Sequence, residues 1–273
     1  MRTAGTDAGR TSPSRLAGQR IWLVGASSGI GAALARELHR RGARVAITAR
    51  TVERLALVAG GELPVVAADV TDRAAVTAGA LAAEQALSGL DMVIWCAGYW
   101  QQFDSSHWDQ DAFARHVEIN LLGLNNVLAA VVPAMVAGGS GQIVGVASVA
   151  GYRGLPGSEA YGATKAAQIN LLESLRTSLS RHGIRVTTVC PGFVRTPMTS
   201  ANTFPMPFIV EAEEAARSIA DGLERGRMEI VFPLRMAVLM KLARLLPVRV
   251  WAALASRGSA RSSRVPDHRG GTR

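Results

Sequence analysis

Tyr161 and Lys165 stand four residues apart in Tyr161-Gly162-Ala163-Thr164-Lys165, a spacing that puts both side chains on one face if the segment is helical. Lys165 is one of only two lysines among thirty basic residues, so where arginine is the default its type is informative. A compact ammonium can approach a phenol closely and help hold it as phenolate, whereas a planar guanidinium is shaped for bidentate acceptors. The pair points to proton transfer at a reacting oxygen. Two surface residues one turn apart would look the same, so the context has to decide.

A second candidate lies near the start of the chain. Gly25-Ala26-Ser27-Ser28-Gly29-Ile30-Gly31 follows an apolar run and opens a segment of helical period. Glycines at such a junction let the backbone turn tightly and approach a pyrophosphate, which free N–H groups at the helix N-terminus would hold. The spacing is G-x-x-x-G-x-G rather than the dinucleotide fingerprint G-x-G-x-x-G, and glycines serving packing alone are the alternative. The next strand ends Ala46-Ile47-Thr48-Ala49-Arg50 without the acid that would bind a ribose 2′-hydroxyl. Arg50 suits a 2′-phosphate, so NADP(H) is expected over NAD(H).

The elements that must position these groups alternate. Strand-like runs at 21–24, 44–48, 63–67, 92–96, 142–147 and 185–189 are separated by helical patterns at 32–41, 52–57, 74–87, 109–136 and 160–181. Such alternation predicts one doubly wound α/β domain of Rossmann type over 19–233, its parallel sheet covered by helices on both faces. After residue 189 the pattern changes to an irregular stretch with Pro197, Pro205 and Pro207, then a helix at 211–225. A helical extension is expected at 234–256. Its apolar run 234–254 is interrupted by Arg235, Lys241, Arg244, Pro247 and Arg249, which argues against a transmembrane span. Covering the cleft or a subunit interface is the first reading of this segment, and a basic helix lying on a membrane is the second.

Of 273 residues, 48% are hydrophobic and 19% charged, which excludes wholesale disorder. Cys96 and Cys190 lie in separate apolar runs and read as reduced core residues, with neither a disulfide nor a metal site expected. The net charge of +9 resides mostly in residues 1–20 and 257–273, leaving the body nearly neutral, so a nucleic-acid surface is not expected. Residues 1–18 and 257–273 are expected to be basic tails, the first flexible and the second disordered. No apolar leader precedes the first strand, and a cytoplasmic protein is expected.

With these motifs in order, the chain resembles the short-chain dehydrogenase/reductase family from about Gly18 to Thr196. The match includes Gly25, Gly29 and Gly31, Asp69-Val70 at the adenine pocket, and Asn120 in Glu118-Ile119-Asn120. It continues through Ser148, thirteen residues before Tyr161, to Pro191-Gly192-Phe193-Val194-Arg195-Thr196, the segment that clasps a nicotinamide. The family's Asn-Asn-Ala-Gly is here Trp95-Cys96-Ala97-Gly98, with both asparagines gone.

The resemblance implies a catalytic set of Asn120, Ser148, Tyr161 and Lys165, with Asn120 holding a water that connects Lys165 to solvent. It implies dinucleotide contacts from Gly25, Ser27, Ser28, Gly29, Ile30, Gly31, Arg50, Asp69, Val70, Ala97, Gly98, Tyr161, Lys165, Pro191, Gly192, Val194 and Thr196. Ser148, Tyr161, Tyr99 and Tyr152 would face the substrate, and a homo-oligomer would be expected. The implied reaction is hydride transfer between a nicotinamide and a C–OH/C=O pair. Bringing a tyrosine from its ordinary pKa of about 10 to near neutrality takes roughly 4 kcal/mol, which Lys165 and an oxidised nicotinamide would supply together.

The segment 196–214 would enclose the substrate. Met198, Phe204, Met206, Phe208 and Ile209, facing Tyr99, Trp100 and Tyr152, favour an apolar or bulky carbonyl or alcohol. His116 and His182 have no partner cluster in the sequence and read as structural or solvent-facing. Ser148 lacks the G-x-S-x-G elbow of a hydrolase. The other reading of the whole chain is a dinucleotide-binding sensor without catalysis on the same fold.

Overall fold

The computed structural model describes residues 14–102, 105–200, 202 and 204–262, with side chains through Ser256. Its elements in chain order are β1 (Arg20–Val24), α1 (Gly29–Arg40), β2 (Arg44–Ala49), α2 (Val52–Ala59), β3 (Val65–Ala67), α3 (Arg73–Leu87) and β4 (Met92–Trp95). There follow α4 (Gln110–His116), a π-helical turn (Val117–Leu122), α5 (Gly123–Gly138), β5 (Gly141–Val146), a 3-10 turn (Val149–Gly151), α6 (Glu159–Ser180) and β6 (Ile184–Pro191). The chain continues with β7 (Val194–Arg195), β8 (Val210–Glu211), α7 (Ala212–Glu224), β9 (Glu229–Phe232), α8 (Leu234–Leu245) and α9 (Val248–Ser262).

Seven strands form one parallel sheet in the order β3-β2-β1-β4-β5-β6-β9, and β7 pairs with β8 in a separate two-stranded ribbon. The alternation predicted from sequence is thus present, with β9 as an unforeseen edge strand. Four residues beginning with an exposed Glu229 are too short to show a period.

Alternate residues of a strand face opposite sides of the sheet, so β1 sends Ile21 and Leu23 into one apolar layer and Trp22 and Val24 into the other. The first layer holds α1 and α7 through Leu34, Leu38, Ile219 and Leu223; the second holds α3, α5 and α6 through Val76, Val127 and Leu172. A partly buried ion-pair network ties α1 to α7. Arg41 bridges Glu37 at 2.7 Å, Asp221 at 2.7 Å and Glu224 at 3.1 Å. Hydrogen bonds from Arg40 and Arg41 hold the Glu37 carboxyl down to about 2, against the opposing pull of burial.

The order of strand addition reverses at β1: β2 and β3 are added on one side of it and β4 on the other. A crevice opens there at the carboxyl ends of the strands. The single helix expected at 109–136 is instead α4, the π turn and α5 in succession. Gln110–Gly138 is long and apolar enough to cross a membrane, but Leu124, Val127, Leu128 and Val131 are buried against the sheet.

Both expected tail boundaries shift. Residues 14–18 pack on the domain, with Leu16 buried and the Gly18 N–H donating to the Gly42 carbonyl at 2.8 Å. At the other end α9 continues to Ser262, past the predicted boundary at 257. Residues 1–13 and 263–273 lie outside the described residues.

Candidate active site

The phosphate-facing turn is shaped by close backbone approach. Gly25 has φ +93°, and a Cβ there would lie 2.3 Å from the Ala97 amide nitrogen, so β1 and β4 converge only if residue 25 has no side chain. A Cβ on Gly31 would lie 2.0 Å from the Gly25 carbonyl oxygen. The turn therefore folds onto the first turn of α1 with glycine at both contacts. It leaves a cradle that side chains would fill, flanked by Ser27, Ser28, Gly29 and Ile30.

One cleft runs from this turn in both directions. At one end it is lined by Arg50, Asp69 and Val70; in the middle by Ala97 and Gly98; at the other by Ser148, Tyr161, Lys165, Pro191, Gly192, Val194 and Thr196. Tyr99 also lines it. Asp69 accepts from the Thr71 N–H at 2.9 Å and hydroxyl at 2.8 Å. Burial would raise its carboxyl, but these bonds and the Arg50 charge outweigh it and hold the group ionised. Sequence reasoning missed Arg54, one helical turn beyond Arg50 and on the same wall, where it adds a second exposed guanidinium. It also missed Asn126, whose side-chain amide donates to the Val70 carbonyl at 2.9 Å and fixes that edge.

At the catalytic end, Lys165 is 3% exposed and donates to the Val146 carbonyl and to Gln168 Oε1, each at 3.0 Å. Its ammonium lies 5.5 Å from the centroid of the Tyr161 ring. Burial lowers Lys165 to about 8, which leaves it largely protonated at neutral pH. Burial also pushes Tyr161 up to about 12, the Ser148 hydrogen bond opposing it. Among the protein's own groups, then, Tyr161 is a neutral phenol. The expected lowering by Lys165 is not the dominant influence, because the ammonium is spent on Val146 and Gln168 and the phenol is desolvated.

Asn120 is held by three hydrogen bonds. Its Oδ1 accepts from the Tyr99 N–H at 2.7 Å, while its Nδ2 donates to the Tyr99 carbonyl at 3.1 Å and to Thr164 Oγ1 at 3.0 Å. Fully buried in the π turn, it fastens the chain after β4 to α6 and does not line the cleft. Such turns are frequent at functional sites. Its main-chain carbonyl accepts from Gln168 Nε2, so a side-chain amide, fully buried itself, links Lys165 to Asn120.

Tyr152 is the other correction. The 3-10 turn after Ser148 carries its ring away from the cleft and into a cluster with Ile169, Cys190, Met236 and Met240. Its hydroxyl donates to Glu229 at 2.6 Å. Burial raises its pKa, with Cys190 and Glu229 adding to the effect. The wall beside Tyr161 is instead Trp100, edge-on to the Tyr161 ring at 5.3 Å and close to Phe204 at 6.5 Å. His116, which the sequence left without partners, is buried behind that wall. It contacts Tyr99 at 4.8 Å, its Nδ1 donates to the Ala112 carbonyl at 2.7 Å, and its Nε2 accepts from the Gln101 N–H. Burial lowers its pKa and keeps it neutral.

The asparagine replacements also have places. Trp95 fills the apolar layer against Val70 and Leu124, and its ring leaves room only for glycine at 123, where a Cβ would lie 2.9 Å away. Cys96 lines the cleft with its thiol pushed up to about 12 by burial, a neutral group rather than a thiolate.

A family model described as short chain dehydrogenase matches residues 19–205. The chain belongs to this family. An uncharacterized oxidoreductase of Myxococcus xanthus is 38% identical over 241 residues, spanning 86% of this chain and 95% of that protein. Oxidoreductase UcpA of Salmonella typhimurium is 36% identical, over 78% and 87%. A short chain dehydrogenase from Burkholderia cenocepacia, solved in complex with NADP, superposes with a TM-score of 0.76 at 27% identity, covering 89% of this chain and 98% of that one. The protein is accordingly a short-chain dehydrogenase/reductase, an oxidoreductase of a family that binds NAD(P) and acts on small molecules. The glycine cradle and the cleft beyond it fit such a dinucleotide.

Proposed function

We propose that the enzyme is an NADP(H)-dependent oxidoreductase that interconverts an apolar or bulky alcohol and its carbonyl. The observation that carries this reading is the single cleft joining Arg50 and Arg54 at one end to Ser148, Tyr161 and Lys165 at the other. Gly25–Gly31 and the first N–H groups of α1 would hold the pyrophosphate, the two guanidiniums would take the 2′-phosphate, and Pro191, Gly192, Val194 and Thr196 would border the nicotinamide. The bound nicotinamide supplies the hydride donor or acceptor.

The chain supplies the proton. Tyr161, neutral as a phenol, donates its hydroxyl proton to the carbonyl oxygen during reduction and becomes phenolate; in the oxidative direction that phenolate takes the proton from the alcohol. Ser148 donates a hydrogen bond to the same oxygen and orients it. The Lys165 ammonium lowers the cost of the phenolate that Tyr161 becomes when it gives up its proton. Trp100, Phe204 and Met198 border the substrate side with apolar surface, and NADP in the Burkholderia cenocepacia relative supports the choice of cofactor.

The test is a panel of carbonyls and alcohols assayed with NADPH/NADP and with NADH/NAD, in parallel for Tyr161→Phe. Turnover preferring the phosphorylated cofactor is expected, with Tyr161→Phe slowing kcat by about a hundredfold to ten-thousandfold while dinucleotide affinity stays near wild type. Preference for NADH removes the role given to Arg50 and Arg54. Unchanged turnover in Tyr161→Phe removes the mechanism.

A further inference from the structure

The helices α8 and α9 turn apolar side chains in two directions. On the inner side of α8, Met236, Ala237, Met240 and Ala243 are buried, and Met236 and Met240 join the cluster beneath the catalytic end of the sheet. On the outer side Leu234, Val238, Leu242 and Leu245 recur at the spacing of one helical stripe, and all are exposed, Leu234 by 76% and Leu245 by 79%. Val250 and Leu254 add an exposed pair one turn apart on α9. Of the sixteen exposed large apolar residues among the described residues, eight lie in these two helices. A concentration of that kind marks a surface that meets a partner.

Charge identifies the partner. Residues 234–262 contain six basic residues and not one acid. Arg235 and Arg249 are exposed within the apolar stretch, while Lys241 is paired with Glu229 and Arg244 lies over the Tyr152 ring at 5.9 Å. A second copy of the chain meeting this face about a two-fold axis would set the same arginines against one another with no carboxylate in the segment to separate them. An anionic bilayer answers both properties. Its acyl boundary takes the leucines and valines, and its headgroups take the arginines at about 1 kcal/mol each.

We infer that α8 and α9 form a monotopic docking face with which the enzyme lies on an anionic phospholipid surface. The helices are too short and too charged to span a bilayer, so the attachment is interfacial and salt-sensitive.

The full-length protein is to be sedimented with vesicles of phosphatidylcholine alone and of phosphatidylcholine with 30% phosphatidylserine, at about 0.05 M and 0.5 M salt. Expected is pelleting with the anionic vesicles at low salt, weakened at least tenfold on zwitterionic vesicles or at high salt. Leu242→Glu with Leu245→Glu, and separately Arg235→Glu with Arg249→Glu, are each expected to lower partitioning at least tenfold. Both positions of each pair are exposed, and an unchanged thermal melt establishes that the variants are folded. Negligible pelleting on both vesicle types overturns the inference. So does a sedimentation-velocity result in which the leucine variant turns a lipid-free dimer into a monomer, since the face would then join two copies.

Discussion

At the Gly25–Gly31 turn the cleft is bounded by bare backbone, and at the Lys165 corner it is bounded by side chains held by a hydrogen-bond network of side chains and main-chain carbonyls. The turn depends on atoms that are missing: Cβ atoms at 25 or 31 would collide with main-chain atoms at 2.3 Å and 2.0 Å, and main chain has nowhere to move. The corner depends on atoms that are present: Lys165 donates to two acceptors, so the loss of one leaves the other. A rigid backbone contact should fail abruptly on substitution, and a side-chain network by degrees.

The largest effect that would test this contrast is at the turn. Gly31→Ala is expected to weaken dinucleotide binding by about a hundredfold or more, equivalent to roughly 3 kcal/mol of strain, as read by titration of intrinsic fluorescence. Binding within a factor of a few of wild type would show that the turn relaxes and that the contrast is false.

An intermediate effect is expected at Gln168. Gln168→Leu removes the acceptor of one Lys165 hydrogen bond and the donor to the Asn120 carbonyl while keeping a similar volume. Its kcat/KM should fall by roughly tenfold to a hundredfold, in line with about 1.5–3 kcal/mol for a hydrogen bond to a charged group. The pH profile separates this from simple loss of packing. Lys165 sits near 8, so kcat/KM for the dinucleotide should decline as pH rises through that value and the ammonium is lost. Without Gln168 the charged form has one acceptor fewer, and the decline should begin at lower pH. Gln168→Glu, which restores an acceptor and adds charge, should move it higher. A lower rate with an unmoved alkaline limb would make Gln168 a packing residue only.

The smallest effect is behind the turn. Glu37→Gln loosens the link between α1 and α7 and should cost about 1–2 kcal/mol in urea unfolding at pH 7, leaving the Lys165 limb unchanged. The Glu37 carboxyl is held near 2, below its ordinary range, so its contribution is present above that range and fades as the pH falls toward 2. The difference between wild type and variant should therefore shrink in acid. A difference that grows in acid would contradict the ion-pair account.

The same contrast governs what could be read in advance. The glycine turn was legible because its spacing follows from local geometry, and the strand alternation was legible because buried parallel strands are continuously apolar. Tyr161 and Lys165 were legible as types at a spacing, and Ser148 through the family resemblance. Gln168 was not, since its importance comes from a carbonyl in a π turn that no helical period announces. Tyr152 was misplaced because three residues of 3-10 turn reverse the direction of its ring. The outer stripe of α8 was ambiguous for a simpler reason: an apolar run records composition, and only packing tells which side is covered.

Gly192 lies against α8 so closely that a Cβ there would come within 2.9 Å of Met236. The helix that faces outward with its leucines thus forms part of the floor under the nicotinamide-side segment with its methionines. During synthesis Ser148, Tyr161 and Lys165 leave the ribosome well before that floor is made. Until Met236 and Met240 arrive, Ala147, Ile169 and Cys190 lack their apolar cover. One side of the core beside Ser148 therefore stays open until α8 is made, and apolar surface at that end of the sheet is exposed for that part of synthesis.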